Sequence, residues 1–318
     1  MDRDRFCRQS RLVVVAGKGG VGKTTVSAAL ARMAADAGLD VLLVALDSAG
    51  AIPSLFGTVE DFGYEEILLY QGLGGQVRGR VITPDDALLE YLADHGMGRF
   101  ARRLTSAGLL DIVSTAIPGI REILVLGKVK QLERSVTPDL LILDAPATGH
   151  AVRFLTSASG LVDAARGGPL RTQAAEVVEM LHDPSRCQVI LVTLPEETPV
   201  NELIETAFRL EDEIGIVLGP VVVNAVYETM AVAARPEALA SAAGLQLEPG
   251  EAAKLSAAAE WRLARQSVQS EQLARLEAEM PLPRLTLPYL FAADFGPGEV
   301  ALLAEALGRA IDRFGGGL

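Results

Sequence analysis

The stretch VVVAGKGGVGKTT, residues 13–25, constrains the fold more than any other part of the chain. From Gly17 to Thr24 it obeys the pattern G-x-x-x-x-G-K-[ST]. The apolar run RLVVVA before it reads as a buried strand, and VSAALARMAADAG after it reads as a helix closing at Gly38. Strand, glycine loop and helix thus stand in the order in which a backbone cradle for phosphate is built. Glycine lets the chain curl until several N–H groups face inward, and the helix adds its positive dipole end. The backbone of Gly17, Gly19, Gly20, Val21 and Gly22 is expected to hold phosphate oxygens. Lys23 would reach the β and γ phosphates, Thr24 would ligate Mg²⁺, and Thr25 would lie near the α phosphate. The expected ligands are ATP and Mg²⁺.

Charge and cysteine usage narrow the alternatives. A formal charge of −12 and a pI near 4.8 oppose broad contact with nucleic acid or an anionic membrane, so any anion must be held locally. Cys7 and Cys187 are the only cysteines, too few for a thiolate metal site or a disulfide framework. No apolar run approaches the length of about 18 residues that a membrane span needs. The opening MDRDRFCRQS is too charged for a signal peptide, so a cytoplasmic location without direct membrane insertion is expected. With 318 residues, 49% of them hydrophobic, the chain has ample material for a sizeable core.

The phosphate loop holds two of the chain's five lysines, and the second is not part of the general pattern. Lys18 directly follows Gly17, and here the chain resembles the deviant Walker A ATPases, whose lysine at this position reaches across a dimer to the partner's nucleotide. The resemblance implies a catalytic role for Lys18, as a cationic finger on transition-state charge, in a homodimer or a heterodimer with a similar subunit. The spacing alone also admits a solvated surface lysine.

Further stretches select a branch of that group. VLLVALDSAGAIPSLFG, residues 41–57, reads as a strand closing on Asp47. It resembles the D-P-A-H-x-x-x-x-x-F-G segment of the arsenite-pump ATPase and of the ATPase that guides tail-anchored membrane proteins. Asp47, Ala49, Phe56 and Gly57 match, while Ser48 and Gly50 replace the proline and histidine. The resemblance implies that Asp47 is catalytic and polarises the attacking water; by itself it also reads as a turn or N-cap aspartate. LLILDAPATGHAVRFL, residues 140–155, reads as a second buried strand ending in an aspartate. It resembles the family's D-T-A-P-T-G-H-T-x-R-x-L segment through Asp144, Thr148, Gly149, His150, Arg153 and Leu155. Asp144 would bind Mg²⁺ through water, and the residues after it would sense the γ phosphate. His150 alone reads equally as a hydrogen-bonded loop histidine. GPVVVNAV resembles a later strand of the family, and the resemblance implies that Asn224, closing it, reads the adenine edge, with Pro288 and Tyr289 covering the ring; Asn224 alone reads as a strand-end turn residue.

The two aspartates are about a hundred residues apart, more than one crossover needs, and residues 85–134 read as helices. PGIREILVLGKV resembles the family's P-G-I-x-E segment of a client-side subdomain, through Pro118, Gly119, Ile120 and Glu122. The apolar faces there, Leu109, Leu110, Ile112, Val113, Ile117, Ile120 and Ile123–Leu126, form either core or a groove for a hydrophobic protein client. Residues 228–280 read as further helices, and the tail EVALLAEALGRAIDRFGGGL as one more, without the basic face of membrane-docking helices.

The expectation is one doubly wound α/β domain over residues 1–318, a phosphate-loop NTPase with a helical insert at about 85–135. The resemblance covers roughly residues 11–290, nearest to paired actinobacterial subunits through the insert and RGGPL, residues 166–170. It implies ATP hydrolysis gating a hydrophobic client or partner site, or alternatively a weakly hydrolysing scaffold subunit. The metalloid-binding cysteine triad has no counterpart, which argues against arsenite transport, and the zinc clasp of the targeting factor is also absent.

Overall fold

The computed structural model describes residues 2–60, 62–94, 96, 97, 99, 119–164, 167–229, 236–248 and 250–315. β1 (Leu12–Gly17) is buried along its whole length and lies inside a sheet of eight strands among the described residues. The spatial order is β3 (Ile67–Gln71), β4 (Gln76–Ile82), β2 (Asp40–Leu46), β5 (Leu140–Ala147), β1, β6 (Cys187–Thr193), β7 (Val221–Val226) and β8 (Arg284–Pro288). Neighbours are parallel except for the β3–β4 pair. Continuous Val, Leu and Ile runs suit parallel strands covered on both faces.

The period of two along each strand sorts the core into two layers. Leu12, Val14 and Ala16 face α4 (Pro84–Asp94), α5 (Ile120–Glu133), α6 (Thr148–Ala164), α7 (Pro169–His182) and α8 (Glu197–Arg209). Val13 and Val15 face α1 (Arg3–Cys7), α2 (Lys23–Asp36) and α11 (Pro297–Gly315), with α3 (Ile52–Phe56) at the margin. The helix α9 (Pro236–Ala242) leads into α10 (Glu251–Glu279), whose carboxyl end buries Leu276 against the first layer. The strand order runs outward in both directions from β1, so the expected doubly wound α/β fold is present. Its switch point, where such sheets open a crevice for ligands, is at the carboxyl end of β1.

Three features differ from the sequence reading or complete it. Residues 67–82 form the antiparallel β3–β4 pair, to which the sequence reading assigned no strands. β5 does not end on Asp144 but continues to Ala147, so Asp144 projects from within the strand and α6 begins at Thr148. In the insert, Ile120, Ile123, Leu124, Val125 and Leu126 are core residues of this structure: they are buried, and α5 packs on α4, α6 and α7. Leu109, Leu110, Ile112, Val113, Ile117, Pro118 and Arg166 lie outside the described residues. Among the described residues, no helix is long and apolar enough to cross a membrane.

Candidate functional site

The glycine loop leaves β1 between β5 and β6 and enters α2 at Lys23. Two of its glycines are sterically required. A Cβ on Gly17 would lie 2.3 Å from the Val192 carbonyl oxygen. Gly22 has φ of 88°, and a Cβ there would lie 2.4 Å from Asn224 Nδ2. Gly20 is also left-handed, and Gly19 faces Ala147 at the end of β5, so the loop touches the strand that carries Asp144. Val21 is buried; Thr25 is half-buried in the first turn of α2.

Lys23 curls back over this loop, its Nζ donating to the Lys18 carbonyl oxygen at 3.1 Å. Burial depresses its pKa, partly offset by the negative charge of Asp144. The loop therefore holds a cation in a setting that disfavours its charge, an imbalance that an oxyanion would relieve. Thr24 Oγ1 donates to Asp144 Oδ2 at 2.6 Å, and Ser27 Oγ donates to Oδ1 at 3.1 Å. Burial raises the Asp144 pKa, opposed by those two hydroxyls and by Lys23. A hydroxyl and a desolvated carboxylate side by side suit a hard cation, and Thr24 and Asp144 would hold Mg²⁺ there. No cluster of three or more His, Cys, Asp or Glu side chains forms a metal cage among the described residues. A cation at Thr24 would thus draw its remaining ligands from phosphate and water, as Mg²⁺ does. Ser27 was missed in the sequence; it lies one turn along α2 from Thr24, a spacing that could have found it.

Lys18 departs from the cradle. Its Nζ lies 2.6 Å from Oε1 of Glu202 on α8, with the two side chains 33% and 38% exposed. Asp47 follows β2 in a left-handed conformation, φ of 64°, and its backbone N–H donates to Ile82 at 3.1 Å. Positive φ is sparsely populated outside glycine, and such strain gathers where a side chain must be aimed. Asp47 is exposed and shares a cavity with Pro146 and His150 from the β5–α6 junction.

On the β7–β8 side, Asn224 Nδ2 donates to the Val21 carbonyl at 2.9 Å, clamping the loop from a strand two places away in the sheet. Beyond it, Tyr289 follows the exposed Pro288 and stacks on Tyr227, with centroids 4.4 Å apart and ring planes 13° apart. Phe291 and Trp261 meet this pair edge-on, and the Arg262 guanidinium lies 4.6 Å from the Tyr227 ring centroid. Tyr227, Trp261 and Arg262 escaped the sequence reading because α10 brings them together only in the fold.

Comparison with known proteins agrees with this geometry. The anion-transporting ATPase family profile matches residues 10–164, from before β1 through α6. The chain is 34% identical over 302 residues to ATPase BagA of Mycobacterium tuberculosis, spanning 87% of each protein. It is 31% identical over 202 residues to ATPase GET3 of Chaetomium globosum, spanning 62% of this chain and 56% of that one. It is also 31% identical over 214 residues to ATPase get3 of Botryotinia fuckeliana, spanning 66% and 58%.

Proposed function

The chain belongs to the anion-transporting ATPase family and is an ATPase; from that premise we propose a Mg²⁺-dependent dimeric enzyme whose nucleotide state gates a hydrophobic client or partner site. The observation carrying most weight is the Thr24–Asp144 hydrogen bond beside Lys23, since it joins a hydroxyl, a carboxylate and an ammonium at the switch point. In this reading Gly17, Gly19, Gly20, Val21 and Gly22 cradle the phosphates. Lys23 neutralises the β and γ groups; Thr24 and Asp144 would hold Mg²⁺, the latter through water, and the ion would supply charge neutralisation at the phosphates. Asp47 aims the attacking water at the γ phosphorus and takes up its proton. The bond between that phosphorus and the β–γ bridging oxygen breaks, releasing ADP and hydrogen phosphate. The adenine lies by Asn224, Pro288 and Tyr289.

Lys18 supports the dimeric, deviant Walker A part of the reading, because it is not spent on its own cradle. A partner packed across the nucleotides, a second copy or a similar subunit, would receive it. Residues 1–318 then act as one unit in the cytoplasm, consistent with a sheet drawing strands from residue 12 to residue 288. The test is ATP turnover with and without Mg²⁺, with molecular mass recorded with and without a non-hydrolysable ATP analogue. Mg²⁺-dependent turnover and a mass that doubles with the analogue support the reading. Turnover indifferent to Mg²⁺, or a monomer with analogue bound, contradicts it.

A further inference from the structure

The carboxyl ends of β2 and β5 border a cavity of about 480 Å³ that the nucleotide cradle does not use. Asp47, Arg121, Glu122, Pro146, His150 and Arg153 line it. It lies beside α5 and α6, on the opposite face of the sheet from α2, so it opens across the strand ends from the cradle with Asp47 on its wall. Arg153 is exposed, and its guanidinium has no hydrogen-bond or ion-pair partner among the described residues. The unpartnered Arg153 guanidinium thus lines the same cavity as His150 and the Asp47 and Glu122 carboxylates, beside the residue assigned to water activation.

We propose that this cavity is a binding site for inorganic hydrogen phosphate, distinct from the γ-phosphate position, and that it receives the phosphate cleaved from ATP. The inference rests on the reading of Lys23 and Asp47 given above. Arg153 supplies forked N–H donors, the geometry that an oxyanion meets best. Asp47 and Glu122 would repel an anion that carries no proton. Hydrogen phosphate carries at least one proton near neutral pH and satisfies a carboxylate by donating to it, while its other oxygens accept from the Arg153 guanidinium. Sulfate has no such proton, so the Asp47 and Glu122 carboxylates only repel it. The mixture of charges thus selects phosphate over sulfate, as a site for a hydrolysis product requires.

Equilibrium dialysis of radiolabelled inorganic phosphate tests this on the full chain saturated with Mg²⁺ and a non-hydrolysable ATP analogue, which fills the γ position. The expected result is phosphate retained at one site per chain and not displaced by a tenfold excess of sulfate. In Arg153→Gln, affinity should fall by about tenfold or more, the scale of one lost charge-assisted hydrogen bond. Because Arg153 is exposed, the melting temperature should hold. Repeating the dialysis on nucleotide-free Lys23→Ala keeps the test informative if the analogue does not bind. Analogue retention, measured in the same cell, reports on the cradle alone. No retained phosphate in either protein, equal displacement by sulfate, or unchanged affinity in Arg153→Gln would each overturn the site.

Discussion

The ammonium of Lys18 lies 2.6 Å from the Glu202 carboxylate, 184 positions further along the same chain, and not over its own phosphate cradle. The pair is roughly one-third exposed, so it contributes at most about 1 kcal/mol to stability. Glu202→Gln should leave the melting temperature within about 2 °C of the unmodified protein. With Lys18 freed for a partner's nucleotide, ATP turnover should be unchanged or rise by up to about fivefold, the equivalent of that interaction. Steady-state assays at several protein concentrations check this. Turnover falling to the level of Lys18→Ala would mean that Glu202 acts in catalysis itself.

Lys23 gives a second prediction, in which stability and function diverge. Its folded pKa is depressed by burial, so the folded state disfavours the charged form. A cation with a depressed folded pKa contributes its stability above the unfolded value, near 10.5, and loses it as pH falls through the folded value. At pH 7 the charged lysine therefore works against folding when nucleotide is absent. Lys23→Met, similar in length but neutral, should be at least as stable as the unmodified protein at pH 7. It should nonetheless lose ATP affinity by about tenfold or more. Thermal melts with and without ATP decide between this and a purely structural lysine, whose removal would lower stability and leave affinity unchanged.

How much of this was legible in the sequence depended on distance along the chain. The loop, Lys23 and Thr24 lie in one local pattern, and the buried runs around β1, β2, β5 and β6 announced their strands. The β3–β4 pair was missed, although QGLGGQ between ILLY and VRGRV carries a hairpin's glycine signal; Arg78 and Arg80 interrupt the apolar pattern of β4, and only the fold supplies their partner, Glu66. Asn224 was chosen as a base contact, but its amide clamp on Val21, 203 positions away, follows only from the register of β7 beside β6. The apolar face of α5 could not be assigned to groove or core from periodicity, because an amphipathic helix reads the same in both settings.

The Asn224 clamp yields a third prediction. Because the bond from Nδ2 to the Val21 carbonyl uses one of the two amide protons and fixes the amide's orientation, Oδ1 faces a base edge as an acceptor, with one N–H to spare. Adenine and cytosine present an exocyclic amine there, whereas guanine and uracil present a carbonyl. Binding of ATP and CTP should exceed that of GTP and UTP by about tenfold or more, the scale of one unpaired acceptor. Competition titrations against a fluorescent ATP analogue check the ranking. GTP binding as well as ATP would remove Asn224 from base recognition.

Leu124 supplies a fourth, at 2% exposure within the α5 core. Leu124→Ala should cost about 2–5 kcal/mol in urea unfolding, and Leu124→Asp more, since a carboxylate would be buried without a partner. A stable Leu124→Asp protein that loses only capture of a hydrophobic helix would return this face to a client groove.

The central claim is that each nucleotide site is completed by Lys18 of the partner, and mixing two inactive variants tests it most directly. Lys18→Ala and Asp47→Asn should each bind ATP yet turn over about a hundredfold more slowly, in line with loss of an oriented water or a charge-stabilising cation. In a dimer containing one of each, one site keeps its own Asp47 and receives an intact Lys18, while the other lacks both. Turnover of the mixture should recover to up to about half that of the unmodified protein per mixed dimer formed. Mixed dimers that form, as shown by differential tagging, and remain as inactive as either parent would contradict the account.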